Sequence, residues 1–285
     1  MRVWTDEIFE LLYPENGKDE LVIFAYLDES GIHGDARACV VAGFCGKKGP
    51  WRRFHTEWGS ALKRFSVPSD KFRAKDVVKR QGFFGGWDED KQRAFLNSLG
   101  EAVAAYRIYP VAYGIFVDDF LKFSLNERKF LTGAQWDAQK RKFLTSGCPS
   151  KPYIVPFVEC LKVVTSHTPM GGRAHFYCGT DRALGEYATA LFRYIKTRSV
   201  ALNTDKLGTI GFPFASQTPP LQAADLFSYL SYSHMLERKS TGDWKTPPST
   251  ILLALLRNRR TPDDTSFRTE SLIREMISVV PNLPK

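Results

Sequence analysis

The sequence predicts an α/β protein: a mixed β-sheet flanked by helices, with a basic insertion. Three observations predict it. Leu21-Val-Ile-Phe-Ala-Tyr-Leu27 is an apolar run without alternation, as expected of a strand buried on both faces. A second apolar run, Ala38 to Phe44, follows after a short polar turn, and so short a connection favours an antiparallel hairpin. Further along, short apolar segments alternate with segments of helical period, the pattern of a sheet covered by helices.

The elements follow in order. Pro50 to Phe65 carries Trp51, Phe54, Trp58, Leu62 and Phe65 at helical spacing, with proline near its start, where it is tolerated. Phe72 to Val78 is too short to assign. Gly82-Phe-Phe-Gly85-Gly86 matches no phosphate-binding template and reads as a flexible loop. Asp88 to Tyr106 is a helix with acids in its first turn and Phe95, Leu99, Val103 and Tyr106 as its stripe. Tyr109 to Val117 is a strand closed by Asp118 and Asp119. Phe123 to Lys151 is a basic connecting stretch. Pro152 to His167 and Gly185 to Lys196 are helices, and Arg173 to Cys178 and Thr209 to Phe214 are strands. Pro219-Pro220 opens a helix over Leu221 to Glu237, and Ser249 to Arg257 forms the last one. The expected organisation is an N-terminal extension over 1–20, one domain over 21–240 with 120–150 as an insertion or lid, and a C-terminal helical extension over 241–285.

Composition narrows the function classes. The chain has 285 residues, 43% of them hydrophobic and 13% aromatic, which excludes wholesale disorder. No apolar run approaches the roughly 18 residues that a membrane span needs. The first residues place acids where a signal peptide would have an apolar core, so a cytoplasmic protein is expected. Five cysteines, an odd count without C-x-x-C spacing, argue against a disulfide framework and a structural zinc site. Forty Lys and Arg against 31 Asp and Glu give a net charge of +9, a weak pointer to a polyanionic partner.

Two places carry chemistry. The first is Tyr26-Leu-Asp-Glu-Ser-Gly31, where Asp28 ends a buried strand at the sheet edge that α/β proteins use for their sites. Because side chains alternate, Asp28 and Glu29 cannot face the same way while the strand continues. A plain alternative makes Asp28 the start of the turn. The second is Leu221-Gln-Ala-Ala-Asp-Leu226. Gln222 and Asp225 share a helix face, and the apolar neighbours of Asp225 imply that the carboxylate has a partner, a metal ion among the candidates.

These two motifs together, with the hairpin between them, resemble a ribonuclease-H-like family of bacteria and their phages known as domain of unknown function 3800. The resemblance runs from about Leu21 to about Leu236. Phe72-Arg-Ala-Lys-Asp76 is similar to a further family stretch, with Arg73 where histidine is usual. The resemblance implies a ribonuclease-H-like fold in which carboxylates from the first strand, a central strand and the last helix hold two divalent ions, Mg²⁺ or Mn²⁺. Asp28 matches the first position and Asp225 the last. Asp181 best fits the middle one, with Asp118 and Asp119 as rivals. Glu29 is either a further ligand or turned away.

Hard ions of this kind prefer oxygen ligands. Two of them about 3.5–4 Å apart activate a water and stabilise the leaving oxygen of a phosphodiester. Gln222 is then expected to orient Asp225 by a hydrogen bond, and Ser30 and His33 to lie near the Asp28 end. His33 is either a proton shuttle or an ordinary turn residue. Arg128, Lys129, Lys140, Arg141 and Lys142, interleaved with Phe130, Trp136 and Phe143, are the expected grip on nucleic acid. The rival reading is a binding module that recognises nucleic acid or a phage-defence partner without cutting, and a homo-oligomer is compatible with either.

Overall fold

The computed structural model describes residues 21–145, 147–179, 182–198, 203–258, 265–268 and 270–278. The chain opens with strands β1 (Val22–Ser30) and β2 (Ala38–Gly46), then helices α1 (Lys48–Arg64), α2 (Ala74–Lys79) and α3 (Glu89–Ala104). Strand β3 (Tyr109–Phe116) leads into two short helices, α4 (Val117–Leu121) and α5 (Leu125–Leu131), and a small hairpin of β4 (Trp136–Asp137) and β5 (Lys142–Phe143). Helix α6 (Ile154–His167), strand β6 (Arg173–Cys178), helix α7 (Arg182–Arg198) and strand β7 (Leu207–Gly211) follow. The long helix α8 (Pro219–Thr241), helix α9 (Thr250–Leu255), strand β8 (Thr265–Arg268) and helix α10 (Glu270–Ser278) complete the described chain.

The main sheet is mixed and has the order β7-β6-β1-β2-β3-β8. Only β2 runs against the others: β1 and β3 pair with it antiparallel, while β6 pairs with β1, β7 with β6 and β8 with β3 in parallel. The unbroken apolar run of β1 is explained by this position, since both neighbours and both faces are covered. From β1 the chain first builds the sheet to one side and later returns to the other. The β1–β6 boundary is thus a switch point, where parallel sheets leave a crevice outside their carboxyl ends.

Alternation along β1 divides the core. Phe24 and Tyr26 face a layer containing Trp51, Phe54, Trp58, Phe95, Leu99, Leu221, Leu226 and Phe227. Ile23, Ala25 and Leu27 face a second layer with Phe157, Leu161, Val164, Leu191, Phe192 and Ile273. The expected helices lie where the periodicity put them. Asp88 caps α3, its carboxylate accepting from the Lys91 amide at 2.7 Å. Proline occupies the first turn of α8, and Gly242 ends it in the left-handed conformation.

Several expectations are corrected. The strand expected to run to Phe214 ends at Gly211, since Pro213 has no N–H for a ladder. Gly82–Phe84 is a single helical turn that buries Phe84 completely, so hydrophobic anchoring replaces the expected loose loop. The strand expected to run to Val117 ends at Phe116, and Asp118 and Asp119 beyond it sit in the first turn of α4, where the helix dipole favours acids. The 241–285 segment supplies more than helix. Leu252 and Leu255 of α9 enter the first core layer, and β8 lengthens the sheet beside β3.

Gly31, the last residue of the first motif, shows why the motif ends as it does. Its φ is +80°, and a Cβ there would collide with the Ala38 carbonyl and the Tyr232 ring on α8. Gly31→Ala is expected to destabilise the protein by about 1–3 kcal/mol, the scale of backbone strain at a forbidden position. Urea titration followed by circular dichroism would measure it, and an unchanged midpoint would show that the hairpin relaxes freely.

Candidate active-site cleft

A cleft of about 1040 Å³ opens at the carboxyl ends of β1, β6 and β7. Its floor holds Asp28, at the end of β1, and Asp225, in the second turn of α8. Gly179, just after β6, comes so close to Asp28 that a Cβ would strike its Oδ1, and the Gly179 amide donates to the Leu27 carbonyl at 2.8 Å. Glycine is required here because the β6 exit and the β1 exit share one small space. The walls come from Phe72 to Lys75, from the Gly185–Glu186–Thr189–Arg193 face of α7, and from Phe212 to Ser216.

Burial pushes the Asp28 carboxyl well above its ordinary range, and the charges of Glu29 and Asp225 push it further. A backbone hydrogen bond from Glu29 and the Arg73 guanidinium act in the opposite direction. The Asp225 carboxyl is also raised by burial. The Ala74 amide, donating to its Oδ2 at 2.9 Å, and Arg73 pull it down, and Asp76 adds a smaller upward push. Asp28 and Asp225 therefore feel each other as like charges and share Arg73 as a counter-charge. Lys75 and Arg193 add positive charge to the cleft, and Glu186 a further carboxylate.

The other expected site residues divide. Glu29 follows Ile23, Ala25 and Leu27 on the opposite face of β1, as alternation requires. There its charge raises the buried thiols of Cys39 and Cys178, yet it still reaches the cleft edge. Gln222 lines the cleft but does not bond Asp225. Its Oε1 accepts from Trp58 Nε1 at 2.9 Å, and its Nε2 donates to the Ser69 carbonyl at 2.9 Å and to Ser69 Oγ at 2.8 Å. It thereby fixes the 69–74 segment, whose Ala74 amide holds Asp225, so it positions that carboxylate at one remove. Ser30 Oγ lies 3.1 Å from Ser228 Oγ and ties β1 to α8, outside the cleft lining. His33 is exposed in the hairpin turn and also lies outside the lining, the position of an ordinary turn residue.

Asp181 lies outside the described residues. Its rivals are placed away from the cleft: Asp118 pairs with Lys239 at 3.3 Å and Asp119 with Lys122 at 3.0 Å. The reason is topological, since β3 is separated from β1 by β2. Among the described residues, no three His, Cys, Asp or Glu side chains group as around a metal ion.

The basic stretch folds on itself instead of lining the cleft. Arg128 donates to the Pro149 carbonyl, Lys129 lies over the Phe143 ring, and Lys140 pairs with Asp137. Arg141 and Lys142 are exposed at the small hairpin. Arg73, Lys75, Arg193 and Glu186 were not expected in the site. Arg73 and Lys75 lie in the Phe72–Asp76 stretch that the family resemblance picked out without assigning it a role, and Arg193 and Glu186 share a helix face with Thr189.

No protein-family model, curated protein or solved structure matches this chain. Among the described residues, no helix is long and apolar enough to cross a membrane.

Proposed function

We propose that the protein is a metal-dependent nuclease of ribonuclease-H-like architecture, related to the family its two motifs resemble. The observation that carries this reading is the meeting of Asp28, from the first strand, with Asp225, from the late helix, on the floor of one cleft. Two carboxylates held against burial and mutual repulsion form an oxygen-donor set whose excess charge a hard divalent cation would relieve. Asp28 and Asp225 would hold Mg²⁺ or Mn²⁺, with Glu29 at the edge and Asp181 as the further carboxylate the resemblance implies. When bound, such ions supply an activated water and stabilise a leaving oxygen.

The chain's own side chains do the rest. Arg73, Lys75 and Arg193 bind backbone phosphates and draw the scissile one towards the acidic floor. Arg73 offsets part of the charge on both aspartates, against the burial that raises them. The Ala74 amide fixes the Asp225 carboxylate, and Gln222 anchors Ser69 at the other end of the 69–74 segment. The buried cysteines play no nucleophilic part, because burial and nearby acids raise Cys39 and Cys178 and keep them protonated.

The test is cleavage of end-labelled DNA and RNA with Mg²⁺ or Mn²⁺, against an EDTA control, by the wild type and by Asp28→Asn and Asp225→Asn. Metal-dependent cleavage lost in both variants supports the reading. Cleavage retained in both would sink it, and nucleic-acid binding without cleavage by the wild type would replace it with the binding-module reading.

A further inference from the structure

Phe214 lines the cleft and is 77% exposed. Its backbone is nonetheless fixed. Pro213, immediately before it, has its own φ locked by its ring, and the Phe214 carbonyl accepts from the Gln217 amide at 3.0 Å and from Thr218 Oγ1 at 2.9 Å. Thr218 is itself buried and leads directly into α8. A ring left in water on so firmly held a backbone contributes little to the core. Its surroundings are not those of an apolar docking patch, because the same cleft carries Arg73, Lys75, Arg193, Asp28 and Asp225.

We propose that Phe214 is a stacking platform for an unpaired base, and that the substrate is single-stranded where it enters the cleft. The inference rests on the nuclease reading for the identity of the ligand and extends it to a substrate class. In a duplex both faces of a base are covered by its neighbours, so an aromatic side chain gains a partner only after costly unstacking. A single strand offers its π-faces at no such cost, and any base will serve. The three cations supply the complementary half of such a site by gripping phosphates on either side of the stacked base.

The test is fluorescence anisotropy in EDTA, where no cleavage can occur, with labelled oligothymidylate, oligouridylate and a mixed-sequence DNA duplex at fixed salt. The wild type is expected to prefer a single strand, of either sugar, over the duplex. Phe214→Ala should weaken single-strand binding by about tenfold and leave duplex binding unchanged, while Phe214→Trp restores it. The exposed position means that both variants should melt like the wild type. Equal losses on single strand and duplex, no loss on either, preference for the duplex, or no binding at all would overturn the proposal. Its failure is separable from that of the nuclease reading. Cleavage that survives Asp28→Asn removes the latter and leaves the anisotropy result standing. An unaffected Phe214→Ala beside Asp28-dependent cleavage removes only the stacking platform.

Discussion

Asp28→Asn is expected to lower metal-dependent cleavage by roughly 10³-fold or more, the scale of losing a group at the reacting centre. The same variant should melt at a higher temperature than the wild type when no divalent metal is present. The two effects share one cause. The Asp28 carboxyl has an ordinary value of 3.8 and is raised well above it by burial, Glu29 and Asp225. The folded state therefore binds this proton more tightly than the unfolded state does. Stability attributable to Asp28 is greatest below the unfolded value and falls as pH rises through the raised folded value. Asparagine keeps the shape and carries no charge, so it removes this pH-dependent loss. The gain near neutral pH should be about 1–2 kcal/mol, typical of relieving a functional site, and each kcal/mol raises the melting temperature by about 2–4 °C in a protein of this size. Excess Mn²⁺ should reverse the order, because only the wild type then gains stability by binding it. Melting curves between about pH 4 and pH 8, with EDTA and with Mn²⁺, measure all three effects. If the variant melts below the wild type at neutral pH in EDTA, Asp28 is a structural carboxylate and its role in the site falls.

The floor of the cleft was legible in the sequence because each aspartate is tied to a strong local signal. Asp28 ends an apolar run that could only be a central strand, and Asp225 follows a proline-opened helix among apolar neighbours. Of the walls, only the Phe72–Asp76 stretch left a trace, through the family resemblance and without an assigned role. Arg73 and Lys75 lie two residues apart, but Arg193 is far from them along the chain and joins them only through the topology that places the start of α2 and α7 beside the β1–β6 switch point. Local charge density pointed instead to 123–151, where Lys140, Arg128 and Lys129 are taken up by Asp137, the Pro149 carbonyl and the Phe143 ring. Helix α2 has six residues, too few for a period to declare itself. Strand β8 escaped for a related reason: four residues at a sheet edge carry no alternation, and their place is set by β3. Gln222 shows the limit in one residue. Its helix face was correctly shared with Asp225, but its partners are Trp58 and Ser69, which no spacing rule reaches.

Trp58→Ala is expected to be the most destabilising of the substitutions considered, at about 3–5 kcal/mol, and to lower cleavage even where the protein stays folded. Trp58 is completely buried, packs against Phe54 and Phe72, and donates its indole N–H to Gln222. Truncation leaves a cavity and also strips Gln222 Oε1 of its partner in a site that water does not fill cheaply. Gln222 holds Ser69, the 69–74 segment carries the Ala74 amide, and that amide holds Asp225, so disorder at Trp58 passes to the carboxylate through three hydrogen-bonded contacts joined by the 69–74 chain. Trp58→Phe separates the two contributions. It keeps most of the packing and removes only the hydrogen bond, so it should cost about 1–3 kcal/mol, the penalty of one unpaired buried polar atom. Its cleavage rate should fall while its melting transition stays cooperative. Gln222→Leu should lower cleavage in the same way, because it cuts the same chain one link later. If Trp58→Phe and Gln222→Leu both retained full cleavage while losing stability, the brace would hold the fold alone, and Asp225 would owe its orientation to α8 and the Ala74 amide without help from Gln222.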